Sequence, residues 1–168
     1  MAGMMDQLVE ILSEQTERYG ELLGLALEKR DVIIHNDIEA LQKINHLENM
    51  VISQNQKLEK KRMELVADMA LVLGEKEADL TMPKLIELME DNKEEQKALI
   101  EVRDRIKEVL GELKEINNQN GELVQNALDY IEFSTNLIRS SMGQQPATYI
   151  PGADDVYLDE AGYIDTKN

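Results

Sequence analysis

The sequence has no cysteine and no tryptophan, only three prolines and one phenylalanine in 168 residues. Without thiols there is no disulfide framework, no thiolate zinc site and no cysteine nucleophile. Cationic residues are also short: 18 Lys+Arg stand against 34 Asp+Glu, a formal net charge of −16. A surface of that sign repels a phosphate backbone and anionic lipid headgroups alike, which excludes nucleic-acid and membrane-surface binding. No apolar run approaches the roughly 20 residues a bilayer requires. The N-terminus, with Asp6 and Glu10 and no early lysine, does not read as a signal peptide. The expected compartment is the cytoplasm.

What is present favours helix. Leu, Ile, Val and Phe make up 46 of the 168 residues, above the level below which charged chains stay disordered. Leu, Glu, Lys, Ala, Met and Gln dominate the remainder, and these are strong helix formers. The fold class expected is all-α, an elongated antiparallel bundle or coiled coil of three main helices and one short one, followed by a flexible C-terminal tail.

Apolar or tolerated side chains recur along one helix face at Met5, Leu8, Leu12, Gln15, Tyr19, Leu22, Ala26 and Ile33. Gln15 is the polar interruption, and Lys29 takes the place before Ile33. The stretch Asn36-Asp37-Ile38-Glu39 reads as an N-cap with a glutamate three residues on, the capping-box spacing. A second helix therefore starts after a very short turn and folds back on the first. Its apolar face runs from Ile38 to Val72 with a polar middle over residues 53–62, and Gly74 supplies the left-handed residue that closes it. Thr81-Met82-Pro83 opens a short helix, with Leu80 and Leu85 spaced as a hydrophobic staple. Asp91 and Glu94 repeat the capping-box spacing.

The strongest periodicity follows. Leu99, Val102, Ile106, Val109, Leu113, Ile116, Asn120, Leu123, Ala127, Tyr130, Ser134 and Leu137 alternate in steps of three and four. Leu110, Val124, Ile131 and Ile138 widen the stripe. A helix over residues 92–141 measures about 75 Å at 1.5 Å per residue, against about 45 and 55 Å for the first two. The stripe is thus expected to be longer than its own chain can cover, leaving the remainder to a homo-oligomer or a client helix. Asn120 either fixes register in this seam or marks a place where it opens to water.

Two segments are expected: a helical domain over residues 1–142 and a tail over residues 143–168. The tail holds Pro146, Pro151, Gly152 and Gly162, five acids against Lys167, and Tyr149, Tyr157 and Tyr163. That composition suits either an inert flexible segment or a docking peptide.

Chemistry is scarce. His35 and His46 are preceded three residues earlier by Val32 and Lys43, so neither completes a Glu-x-x-His metal pair. No glycine-rich phosphate loop or nucleophile elbow is present, and the many glutamates read as solvated helix faces. No enzyme, no cofactor and no metal is expected. Gly20 and Gly24 read as a close helix approach or as chance. The nine methionines suit either core filling or an adaptable apolar surface, with core filling at least as fitting for Met63, Met69, Met82 and Met89.

Three stretches, in order, resemble the FlgN family of flagellar export chaperones: LLGLALEKRDVIIHNDIEAL at Leu22 to Leu41, Leu73-Gly74 followed by LTMPKLIEL at Leu80 to Leu88, and INNQNGELVQNALDYIEFSTNLI at Ile116 to Ile138. In the last, Asn117, Asn120, Leu123, Leu128, Tyr130 and Ile131 are the family-like positions. The resemblance implies a cytoplasmic chaperone for the C-terminal segments of the hook-filament junction proteins FlgK and FlgL. It would hold them soluble until the flagellar type III export apparatus takes them. It also implies client contact through Leu123, Ala127, Tyr130, Ile131, Phe133, Ser134, Leu137 and Ile138. The tail TYIPGADD resembles family tails, which makes Tyr149 the expected contact with the export gate. The tail beyond Asp155 departs from that pattern. The alternative is a structural coiled-coil protein whose stripe closes on itself in a homo-oligomer.

Overall fold

A computed structural model describes residues 2–143 together with the backbone of two short strands, β1 (Val156–Leu158) and β2 (Ile164–Thr166). The helical elements are α1 (Ala2–Ile34), α2 (Ile38–Leu73), a single 3-10 turn at Glu77–Asp79, α3 (Met82–Leu88) and α4 (Lys93–Ser141). All-α is therefore the class. The strands pair antiparallel, Tyr157 opposite Asp165, a small ladder that the tail's composition did not announce. The remaining tail positions, Tyr149 and Tyr163 among them, lie outside the described residues. The chain divides into two compact units, Met1–Asn120 and Gly121–Asn168.

The α1–α2 turn depends on Asn36, the one non-glycine residue with positive φ among the described residues, at 55°. Asparagine tolerates that left-handed conformation better than most residues. The cap falls to the next residue: Asp37 accepts a 3.1 Å hydrogen bond from the Ala40 amide. The sequence placed the cap one residue earlier. The same one-residue shift recurs at α4, where Asn92 rather than Asp91 accepts from the Glu95 amide at 3.5 Å. At the far end of α2 the expectation holds, with Gly74 at φ 67° donating its N–H to the Ala70 carbonyl.

Cross-helix contacts give the register. Gln15 meets Glu59, Arg18 meets Gln54 and Lys29 meets Glu48; the α2 number falls as the α1 number rises, so the two helices are antiparallel. Asn120 meets Ala26 across 94 residues. Met5 with Leu99 and Leu8 with Val102 keep that same offset of 94 within one core, so α4 runs parallel to α1. The 3-10 turn and α3 carry the chain back between α2 and α4. Leu80 and Leu85 are both buried in that core, as a hydrophobic staple requires.

The core lies where all four helices contribute. Met5, Leu8 and Leu12 of α1 pack with Leu65, Val66, Met69 and Ala70 of α2, Leu85 of α3, and Leu99 and Val102 of α4. Met69 and Met89 are core residues, whereas Met63 is half exposed. Farther along α1 and α2, polar side chains join Val51 and Leu58 in the interior. Gln15, Thr16 and Asn55 are buried, Gln15 donates to Glu59 at 3.0 Å, and the Thr16 hydroxyl returns to the Leu12 carbonyl at 2.7 Å. Glu59 also accepts two bonds from Arg62, at 2.9 and 2.5 Å. Gln15 in the apolar stripe is thus a member of a buried polar layer, and the polar middle of α2 is its counterpart. Gly20 and Gly24 have nothing within 4 Å of an added Cβ, so their spacing does not reflect a close helix approach.

Two outcomes follow from this packing. Met69→Ala and Leu99→Ala, each at a fully buried position, should cost about 2–5 kcal/mol in urea denaturation followed by helical circular dichroism. Leu71→Ala, on the same helix but 81% exposed, should stay within about 0.5 kcal/mol. The second concerns pH. The Arg62 guanidinium, opposed by burial and aided by the Gln15 amide, lowers the Glu59 carboxyl from 4.5 to about 2. A depressed folded-state value means the stabilisation is present above the unfolded value and is lost as pH falls through the folded one. Glu59→Gln should therefore flatten the stability loss between pH 4.5 and 2, and an unchanged acid limb in the variant would count against the pair.

Candidate functional site

The long stripe of α4 is covered unevenly. Leu99 and Val102 are buried; Ile106, Val109, Leu113 and Ile116 are half-buried; Asn120 is buried again, at 5% exposure. Past Asn120, no described residue up to Gly143 is buried. Burial removes apolar surface from water at about 25 cal/mol per Å², so the distal turns forgo a stabilisation that the proximal turns have.

Asn120 marks the change. Its Nδ2 donates to the Ala26 carbonyl at 2.8 Å, a side-chain bond to a helix carbonyl that still has a lone pair to offer. Of the two readings of this asparagine, register-fixing is the one the structure supports. Its Oδ1 has no hydrogen-bond partner among the described residues, a cost accepted for specificity rather than stability.

Beyond it, the side chains singled out from the sequence fall into rows along the helix. Tyr130 and Leu137 lie one above the other at i, i+7, with Phe133 beside them, and all three are exposed. Ile131 and Ile138 form a second exposed row with Val124 and Leu128. Between the two rows run Leu123, Ala127 and Ser134, all half-buried. Two of those three are small, so the bulky rows stand as rims on either side of a shallow trough. Such a trough accepts the knobs of a facing helix in the manner of coiled-coil packing. Val124, Leu128 and Met142 also contribute apolar surface, and they were not among the contact residues expected. Val124 and Leu128 were legible as the i+1 and i+5 neighbours of Leu123. Met142 follows the last helical residue, where periodicity no longer applies.

Elsewhere the chemistry is sparse. His35 and His46 are both exposed, and the His35 Nδ1 lies 2.7 Å from the Asp31 carbonyl oxygen in the last turn of α1. Among the described residues there is no cluster of three or more His, Cys, Asp or Glu able to hold a metal ion, and no helix long and apolar enough to cross a membrane. A cleft between α1 and α2 is bordered by Glu10, Glu14, Glu64 and Asp68 around Ile11, Leu58 and Leu65. It contains no nucleophile paired with a base. Tyr149 lies outside the described residues.

Among the described residues, then, the longest helix carries two exposed apolar rows on either side of a row with two small residues. The family model described as FlgN protein matches residues 1–154, and the chain belongs to the FlgN family. That membership defines its general role as a flagellar export chaperone, in a family of chaperones rather than of enzymes. No curated protein and no solved structure matches the chain.

The exposed rows should bind a solvatochromic apolar dye such as ANS. Ile131→Asp with Leu137→Asp should remove most of that fluorescence and leave urea stability within about 0.5 kcal/mol, because neither side chain is buried. Retained dye binding would locate the accessible apolar surface elsewhere.

Proposed function

We propose that this protein is a cytoplasmic chaperone for the C-terminal segments of the hook-filament junction proteins FlgK and FlgL, holding them soluble until the flagellar export apparatus takes them. The observation that carries the reading is the exposure of Tyr130, Ile131, Phe133, Leu137 and Ile138 along one helix in a chain of the FlgN family. A client segment that folds as an amphipathic helix would place anchors at i, i+3 or i+4 and i+7 against the two rims. Leu123, Ala127 and Ser134 would receive them, and Ser134 adds a hydroxyl at the floor. Binding there removes apolar area from water on both partners and offsets the ordering cost of the client.

The charge of −16 serves the same task. A chaperone with an unoccupied apolar face needs repulsion between copies to remain monomeric, and net charge supplies it. The segment after Gly143, with Tyr149, would make the contact with the export apparatus, a division of labour between a helical client-binding domain over residues 1–142 and a docking tail.

Isothermal titration of the full chain with a peptide from the junction protein's C-terminus should give a stoichiometry near 1:1 and a gain in helicity. Tyr130→Asp and Leu137→Asp should each weaken binding at least tenfold. Leu71→Asp, an exposed apolar residue of α2, should leave it unchanged. Equal affinities across the three variants would overturn the assigned surface. A light-scattering mass of twice 19.2 kDa for the free chain would favour the structural homo-oligomer instead.

A further inference from the structure

Helix α4 is unbroken from Lys93 to Ser141, yet one stretch of it is poorly made for helix. Residues 117–121 read Asn-Asn-Gln-Asn-Gly, in which asparagine lies near the bottom of the helix-propensity order and glycine lower still. Packing can override propensity, but not here: Asn117, Asn118 and Gly121 are exposed. An added Cβ at Gly121 meets nothing within 4 Å, so no close approach requires a glycine there. Asn120 is the exception, tied to the Ala26 carbonyl, and it is the last buried residue of α4. The boundary between the two compact units falls between Asn120 and Gly121.

Three observations thus meet at one point: minimal propensity, no packing use for the glycine and the end of burial. We propose that α4 carries a hinge at residues 117–121, where local loss of helix lets the arm over residues 122–141 change direction while Asn120 holds the proximal half in register. Weak helical runs whose backbone bonds face solvent open at low free energy, and sharp bends in helices concentrate at such sites. Gly111 serves as the internal comparison. It too faces open space, but Val109 and Leu113 beside it are half-buried, and none of its close neighbours is an asparagine. Resting on the chaperone reading, the hinge would let the arm that carries both apolar rows reorient as one piece when a client segment binds it.

The chain has no cysteine, so a pair of introduced ones labels cleanly. Glu108→Cys and Asn126→Cys are both at exposed positions on one helix face, and 18 residues of straight helix separate them by about 27 Å. Pulsed electron–electron double resonance on the full, nitroxide-labelled chain should show a population at shorter distances beside the straight-helix peak. Gly121→Ala should reduce that population at least twofold. Gly111→Ala, between the same two labels, should leave it unchanged. A single narrow peak near the straight-helix distance, or equal responses to the two alanines, would overturn the hinge. The measurement uses the chain alone, so a straight α4 would remove the hinge and leave the titration of client peptide to decide the chaperone reading separately.

Discussion

Apolar surface on a helix is stabilising only where something covers it, and α4 contains more of it than is covered. From Leu99, fully buried, to Leu137 at 60% exposure, the apolar side chains of one helix face lose their cover, with the buried Asn120 marking the change. A helix that carried such a stripe for folding alone would lose it where cover ends, because exposed Leu, Ile, Phe and Tyr add nothing to stability and invite association. Here the pattern continues for five more turns. The surplus is the physical basis of the proposed client surface, and the arrangement of the helices leaves it uncovered.

That organisation rests on two devices. The first is the apolar core that joins the start of α1, the end of α2, α3 and the start of α4, which anchors the proximal part of α4. The second is the polar layer and its outlying bond. Gln15, Glu59 and Arg62 form a hydrogen-bonded group beside buried Leu58 in the middle of the α1–α2 pair, and Asn120 donates to the Ala26 carbonyl between α4 and α1. Apolar contacts are indifferent to a slip of one helical turn, whereas a buried amide is not, since a shift leaves it unpaired. The helices are held together by the core and held in register by the amides. Specified register determines how far along its stripe α4 is covered and therefore which turns are left out.

Much of this was legible in the sequence. The number and limits of the helices follow from periodicity interrupted by Asn36-Asp37, Gly74 and Pro83, and the exposed residues of the distal stripe were picked out by spacing and family resemblance. What spacing did not reveal was pairing. Gln15 looked like a blemish in the α1 face because its partner, Glu59, lies 44 residues away, and only the register of two folded helices joins them. The caps slipped by one for a related reason. Asn36-Asp37 and Asp91-Asn92 each offer two adjacent residues able to cap, and the choice belongs to the backbone: whichever residue can leave the helix path takes the turn, and its neighbour takes the cap. The β1–β2 ladder left little signal, since three-residue strands are too short to show alternation.

Asn120 shows how one residue type can have opposite roles in a single run. Its neighbours Asn117 and Asn118 are exposed, and an exposed asparagine weakens a helix because its side chain competes for backbone hydrogen bonds. Turned inward, the same amide finds the Ala26 carbonyl and anchors the helix instead. The stretch is thus anchored at Asn120 and has low helix propensity on either side of it. An apolar substitution at Asn120 would extend the seam by one more layer and raise helix propensity, yet it would also remove the group that distinguishes one register from the next. One further buried leucine at this point would add packing, whereas the buried amide sets register through the Ala26 carbonyl, and the sequence keeps the amide.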